Sequence, residues 1–298
     1  MRVPHAEARS EARIVETAAR GRLVVWDTPG PVGAPTLVLL HGVTLDAATN
    51  WSGAVPTLAQ HFRVLAMDLR GHGGGPPARV PYRLEDCADD VAAVVQALGT
   101  GPVIVAGYSM GGMIAQLFWR RHPELTAGLV LCATARNVSG SFLEQLTAMA
   151  MPFVVGALGW IPPVFPLSAD LVGSRLLSDS LDPRVRRAAL ARMRRIPLVT
   201  ALAAIRAACD FSSHRWIGGV DVPSAVLVTR HDQVVPPSRQ MRLARALPGA
   251  EVVEVDGNHD VFLDAPGAFA HALTAACLAA ATATATLQSQ PDGSEQAS

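Results

Sequence analysis

The chain has 298 residues, of which 50 % are hydrophobic and 17 % are charged, so it can bury a large core in one or two domains. The formal net charge at pH 7 is zero, which argues against nucleic-acid binding through an overall positive field. The four cysteines are scattered without a CxxC pair, and the first twenty residues hold no apolar signal segment, so we expect no disulfide framework and a cytoplasmic protein.

Short strand patterns dominate the chain from residue 13 onward. Two of them, 13–17 and 23–27, precede a Pro/Gly turn and fit a strand pair at a sheet edge. The following aliphatic, β-branched runs are typical of strands buried on both faces. These runs are 36–40, 63–68, 103–106, 128–132, 225–228 and 251–255.

Helical patterns lie between the strands. They cover residues 85–98, 110–121, 239–247 and 266–280, and three of them end at or just before Gly99, Pro123 and Pro248. Strand and helix alternation of this kind predicts an α/β fold: a mostly parallel, twisted sheet of eight strands with helices on both faces.

The alternation is interrupted between residues 137 and 218, where the chain is helical or irregular and unusually apolar. We interpret 137–218 as a helical, hydrophobic cap inserted between two core parts, 1–136 and 219–280. Residues 145–169 carry no charge, but Pro152, Pro162, Pro163 and Pro166 argue against a membrane-spanning helix. A cap that dips into a membrane is the weaker alternative. The polar tail, 281–298, is predicted to be disordered.

Residues 107–111 read Gly-Tyr-Ser-Met-Gly, the GxSxG pattern. The pattern follows a buried strand and opens a helix, which is where a nucleophile elbow must lie. Ser109 is therefore the candidate nucleophile. The alternative is a serine that merely caps a helix in a glycine-rich turn.

A serine hydroxyl needs a base and an acid that orients the base. His259 follows the strand 251–255, and Asp232 follows the strand 225–228, so both lie at the carboxyl edge where ligands collect in parallel sheets. Asp256 and Asp260 are the rival acids, although their position next to the histidine makes the required contact difficult.

Two backbone donors should stabilise an oxyanion beside the nucleophile. Met110 N–H, directly after the serine, is one candidate. Val43 N–H, in the loop His41-Gly42-Val43 after the strand 36–40, is the other. We expect His41 to shape this loop and not to take part in catalysis.

Five motifs together resemble the α/β-hydrolase superfamily: LLHGVTLD, VLAMDLRGHGGG, VIVAGYSMGG, VTRHDQVVPP and VDGNHDVFLDAP. The order nucleophile, acid, histidine also matches that fold. Among its members, the chain is similar to cofactor-free bacterial esterases, enol-lactonases and non-haem haloperoxidase-like hydrolases. One departure is Gly73-Gly74-Gly75-Pro76, where a serine commonly follows the DxRGHG turn, which leaves the hydrogen bonding of that turn in question.

The resemblance implies hydrolysis of a small-molecule ester, lactone or thioester through an acyl-enzyme, with no metal or organic cofactor. A serine at position 109 argues against an epoxide hydrolase or a dehalogenase, which carry aspartate there. The apolar cap suggests an apolar acyl or alcohol group.

There are two alternatives to hydrolysis. One is acyl transfer with the same residues, and the other is a catalytically silent fold that binds a small ligand. The substrate and the oligomeric state are left open.

Overall fold

The structure, a computed structural model, describes residues 10–79, 81–138 and 176–288. Within these ranges, eight strands form one sheet in which β1 and β2 are antiparallel to their neighbours and the other six run parallel. The predicted α/β class with a mostly parallel eight-stranded sheet is confirmed. The strands are β1 (Glu11–Thr17), β2 (Gly21–Thr28), β3 (Thr36–Leu40), β4 (Arg63–Met67), β5 (Val103–Tyr108), β6 (Thr126–Cys132), β7 (Ser224–Thr229) and β8 (Glu251–Val255). Their order across the sheet is β1-β2-β4-β3-β5-β6-β7-β8.

Helices connect the strands and cover the sheet. The helices of the described ranges are α1 (Ala47–Trp51), α2 (Val55–Leu58), α3 (Leu84–Leu98), α4 (Met110–Arg121), α5 (Pro183–Met193), α6 (Leu198–Asp210), α7 (Pro237–Ala244), α8 (Val261–Asp264) and α9 (Pro266–Gln288). The sequence did not predict α1, α2 and α8, because helices of four or five residues are too short to show a 3.6-residue period.

The central strand β3 shows why the strands are apolar throughout. Leu37 and Leu39 point into one core cluster, which also contains Trp51. Val38 and Leu40 point into the cluster on the opposite face, with residues of α3 and α4. Successive side chains of a strand alternate between faces, so a strand covered by helices on both sides must be apolar at every position.

Helix α9 packs on the sheet and runs to Gln288, whereas the sequence predicted an end at residue 280. Residues 281–288 therefore belong to the helix and not to the predicted disordered tail. The reason is the high helix propensity of alanine, which extends a helix already anchored in the core. Among the described helices, α9 is long and apolar enough to cross a membrane. However, its Phe269, Leu273 and Cys277 are buried against the sheet, as in a core helix.

The described part of the predicted cap, 176–218, contains α5 and α6. Leu177, Leu181 and Met193 belong to a small apolar cluster separate from the two sheet clusters. Asn137 pairs with Ser212 in an isolated antiparallel bridge, so the two ends of the interval meet. Residues 139–175, including the apolar run 145–169, lie outside the described residues. The cap and its boundaries therefore stay a prediction.

The chain order reverses at β3, which pairs with β4 on one side and β5 on the other. In parallel sheets, ligand sites lie beyond the carboxyl ends of the strands at such a switch point. The loops after β3, β5, β7 and β8 carry the predicted functional residues, and all four lie at this edge.

Candidate active site

Ser109 occupies a sharp turn between β5 and α4. Its φ of +54° and ψ of −116° form a conformation that non-glycine residues rarely adopt, which marks a strained position held by its surroundings. The Ser109 amide donates a hydrogen bond to the Cys132 carbonyl at 2.9 Å. A Cβ on Gly107 would lie 2.2 Å from the Gly111 carbonyl oxygen, and one on Gly111 would lie 2.1 Å from the Leu40 carbonyl oxygen. Both glycines are required because backbone segments meet here.

Gly111→Ala should therefore destabilise the protein by about 3 kcal/mol or more, since its new methyl group meets backbone that cannot rotate away. The measurement is the free energy of unfolding in urea. Gly267→Ala is the matched control, because nothing lies within 4 Å of a Cβ there and its stability should change little. A Gly111→Ala protein with wild-type stability would contradict the close backbone approach at the turn.

His259 lies in the loop after β8 and reaches the serine. Its Nε2 is 3.0 Å from Ser109 Oγ, and both residues are almost fully buried. The Tyr108 hydroxyl donates to the His259 carbonyl oxygen at 2.8 Å, and so ties the histidine loop to the turn that carries Ser109. Burial raises the pKa of the Tyr108 phenol, so this group stays a neutral hydrogen-bond donor.

Asp232 follows β7 and contacts the other nitrogen of the histidine ring. Its Oδ2 is 2.7 Å from His259 Nδ1, and it also accepts the Thr229 hydroxyl at 2.7 Å. Its Oδ1 accepts the backbone N–H groups of Val234 and Val235, both at 2.8 Å. These donors orient a fully buried carboxylate toward His259 Nδ1, which favours the tautomer with its proton on Nδ1 and an unprotonated Nε2 facing Ser109.

The rival acids point elsewhere. Asp256 is 78 % exposed and accepts from His231 at 2.8 Å. Asp260 is fully buried, and its Oδ2 accepts both the backbone N–H and the hydroxyl of Ser178. The structure thus brings Ser109, His259 and Asp232 into one hydrogen-bonded line and leaves both alternatives outside it.

The loop after β3 borders the same site. The Gly42 N–H donates to the buried Asn50 side chain at 3.0 Å, and Thr44 has a φ of +60°. Val43, between them, lines a cavity together with Ser109. Met110 is the first residue of α4, so its N–H has no partner within the helix. The two residues predicted to supply backbone donors therefore border the serine: Met110 follows it in the chain, and Val43 lines the same cavity.

His41 is a structural side chain of this loop. It is fully buried, accepts the Leu69 N–H on Nε2 at 3.0 Å and donates from Nδ1 to the Gly42 carbonyl at 2.8 Å. Burial lowers the pKa of His41 to about 4, which keeps the ring neutral. The expectation that His41 shapes the loop agrees with these contacts.

The glycine-rich turn that departs from the family pattern is nevertheless well hydrogen-bonded. Asp68 accepts the Gly74 N–H at 3.0 Å and the Ala47 N–H at 2.8 Å, so it joins this turn to the start of α1. The Gly75 N–H donates to the His72 carbonyl at 2.9 Å. The Asp68 carboxylate and backbone groups therefore complete the turn without the usual serine.

Sequence reasoning missed the residues that support the site. Asn50, Tyr108 and Thr229 each make one of the contacts above, and Gln240 donates to the Thr229 hydroxyl at 2.8 Å. No motif marks them, because each acts through a contact between distant parts of the chain. In the part of the chain that the structure describes, no three His, Cys, Asp or Glu side chains are arranged to hold a metal ion.

Comparison with known proteins gives matches over most of the chain. A family model described as the alpha/beta hydrolase fold matches residues 35–266. A pimeloyl-(acyl-carrier protein) methyl ester esterase of Neisseria meningitidis is 28 % identical over 255 residues, which are 80 % of this chain and 92 % of that protein. A thermophilic esterase from Thermogutta terrifontis is similar with a TM-score of 0.73 at 27 % identity, over 89 % of this chain and 97 % of that one.

The enol-lactonase from Burkholderia xenovorans LB400 is similar to the same degree, with a TM-score of 0.73 at 25 % identity over 89 % of this chain and all of that one. The eight-stranded sheet of the present protein and these similar proteins agree with the match of the family model. The chain belongs to the alpha/beta hydrolase fold family.

Proposed function

We propose that this protein is a serine hydrolase that cleaves a carboxylic ester, lactone or thioester through an acyl-enzyme. The observation that carries the proposal is the line from Ser109 Oγ to His259 Nε2, at 3.0 Å, and from His259 Nδ1 to Asp232 Oδ2, at 2.7 Å. This is the arrangement of nucleophile, base and orienting acid that acyl transfer requires.

In the first half of the reaction, Ser109 Oγ bonds to the acyl carbon while its proton passes to His259 Nε2. The carbonyl electrons move onto the oxygen, which the N–H groups of Val43 and Met110 stabilise. When the tetrahedral intermediate collapses, the bond to the leaving oxygen or sulfur breaks, and that atom takes the proton from Nε2. Asp232 stabilises the positively charged imidazole between these steps.

In the second half, water replaces the leaving group. It gives a proton to His259 Nε2 as it attacks the acyl carbon, and the released Ser109 oxygen then takes that proton back. The products are a carboxylic acid and the alcohol or thiol released earlier.

The relatives support hydrolysis of ester-type substrates. Two of the proteins compared above are esterases by name, and the third is an enol-lactonase, whose substrate is a cyclic ester. Acyl transfer to an acceptor other than water would use the same first half-reaction, so product analysis with an added alcohol distinguishes it.

We also propose that residues 137–218 cap this site.

A fluorophosphonate probe tests the proposal directly, because it phosphonylates only a serine activated by its base. We expect stoichiometric labelling, located at Ser109 by peptide mass spectrometry, and p-nitrophenyl acetate should be hydrolysed and should protect against the probe. A protein that binds small esters but neither reacts with the probe nor hydrolyses any of them would instead be a catalytically silent member of the fold.

A further inference from the structure

We propose that the substrate is an ester of a small apolar acyl group with a polar, hydrogen-bonding alcohol. This inference rests on the proposed function and adds the substrate class. It comes from two cavities of opposite character that meet at His259.

The first cavity, here called the acyl pocket, contains Ser109 and is narrow. Its volume is about 20 Å³, and apart from the catalytic groups its described lining is mainly apolar. A cavity needs about 10–15 Å³ in this measure to hold one water molecule, which is close to a methyl group in size. The pocket therefore has room for a group as small as the methyl of an acetyl ester. The apolar lining includes Val43, Leu45, Leu176, Leu177, Met193 and Phe262.

The second cavity, here called the polar groove, includes His259 but not Ser109. Its volume is about 300 Å³. Besides His259, its lining combines six polar residues with three apolar ones: Ser178, Asp179, Ser180, Gln233, Asn258 and Asp260, and Leu176, Leu177 and Val234. Hydroxyl and amide groups both donate and accept hydrogen bonds, so this groove suits a partner that does the same. An apolar alcohol there would displace water from the Gln233 and Asn258 amides without replacing its hydrogen bonds, whereas a hydroxylated one would replace them.

The chemistry decides which part of the ester occupies which cavity. The acyl carbon bonds to Ser109, and its oxygen faces Val43, and both of these residues line the acyl pocket. The leaving oxygen receives its proton from His259, so the alcohol must extend on the histidine side, where the polar groove lies. Among the residues that the structure describes, the acyl pocket then leaves room for about one methyl group, and the polar groove gives the alcohol space and polar contacts.

Polar contacts join the wall of the acyl pocket to the core. Leu177 and Met193 belong to the segment 176–193, which two polar contacts join to the core. Ser178 donates its N–H and its hydroxyl to Asp260 Oδ2 at 2.7 and 2.8 Å. Near the other end, Arg192 forms an ion pair with Asp46 at 2.9 Å, next to the loop that carries Val43.

The acyl side is tested with p-nitrophenyl acetate, butyrate and hexanoate. We expect kcat/KM of the wild-type enzyme to be at least about tenfold higher for acetate than for hexanoate, because each methylene that does not fit costs about that factor. Met193→Ala should raise the hexanoate to acetate ratio about tenfold. Met241→Ala, the same truncation in α7 and outside the pocket lining, should leave the ratio unchanged.

The alcohol side is tested with glycerol monoacetate and pentyl acetate, whose alcohols have the same number of non-hydrogen atoms. We expect higher kcat/KM for glycerol monoacetate. Gln233→Met, at an exposed residue, should reduce that preference about threefold to tenfold, the worth of one hydrogen bond.

The kcat/KM values of the wild-type enzyme for these five esters test the inference by themselves, even if a variant fails to fold. Hydrolysis of hexanoate at the rate of acetate, or a preference for pentyl acetate, would overturn the inference while the proposed function still stands. A protein that hydrolyses none of these esters and does not react with a fluorophosphonate would instead refute the proposed function.

Discussion

Ser109→Ala should lower kcat for p-nitrophenyl acetate by a factor on the order of 10⁵ to 10⁶, because loss of a triad nucleophile removes covalent catalysis as a whole. Only the oxyanion donors and substrate binding would remain to accelerate the reaction. Among the described residues, the Ser109 hydroxyl hydrogen-bonds only to His259, so its removal should leave the fold intact.

The measurement is a steady-state rate together with the thermal unfolding midpoint, which should not fall in the variant. Ser52→Ala, at an exposed serine, is the control and should retain wild-type activity. Retention of half the activity by Ser109→Ala with an unchanged product would show that another group is the nucleophile.

Asp232→Asn should reduce kcat by about 10⁴, as expected when the histidine is held in the wrong tautomer. The local hydrogen bonds determine how the new amide is oriented. Val234 N–H and Val235 N–H both donate to Oδ1, so the amide oxygen should stay at that position and the NH₂ group should face His259. An NH₂ group donates to Nδ1, and the proton then moves to Nε2, which can no longer accept one from Ser109.

Asp256→Asn is the matched control, because Asp256 lies in the same region but is exposed and pairs with His231. It should retain activity within about twofold, as a surface change away from reacting groups does. If Asp232→Asn were active and Asp256→Asn were not, the acid would have to be reassigned to Asp256.

Much of the fold is predictable because it is coded locally. The apolar run of β3 marks a strand covered on both faces, and Gly99 marks where α3 ends. The sequence predicted the same burial for 251–255, but β8 leaves Glu251, Val252 and Glu254 exposed because it lies at the edge of the sheet. The predicted helix before Pro248 is an instructive difference, since α7 spans Pro237–Ala244. Helix ends depend on contacts as well as on local preference, which is why their boundaries are the least predictable feature.

The candidate residues Ser109, Asp232 and His259 could also be chosen from the sequence. Each directly follows an apolar strand, and parallel strands bring their carboxyl ends to one edge of the sheet. Local pattern therefore placed the three residues on the same side of the molecule. The sequence pattern does not give the distance from each carboxylate to the His259 ring, so it could not decide by geometry between Asp232 and the rivals Asp256 and Asp260.

The sequence by itself determined the class of fold, the edge at which the chemistry lies and the residue types available there, because strand periodicity and turn residues act over a few neighbouring positions. Only the tertiary structure decided which carboxylate faces the histidine, which groups hold Asp232 in place, and which described side chains line the space beside Ser109. Those properties depend on distances between residues far apart in the chain, such as Asp260 and Ser178, and close packing of distant segments determines them.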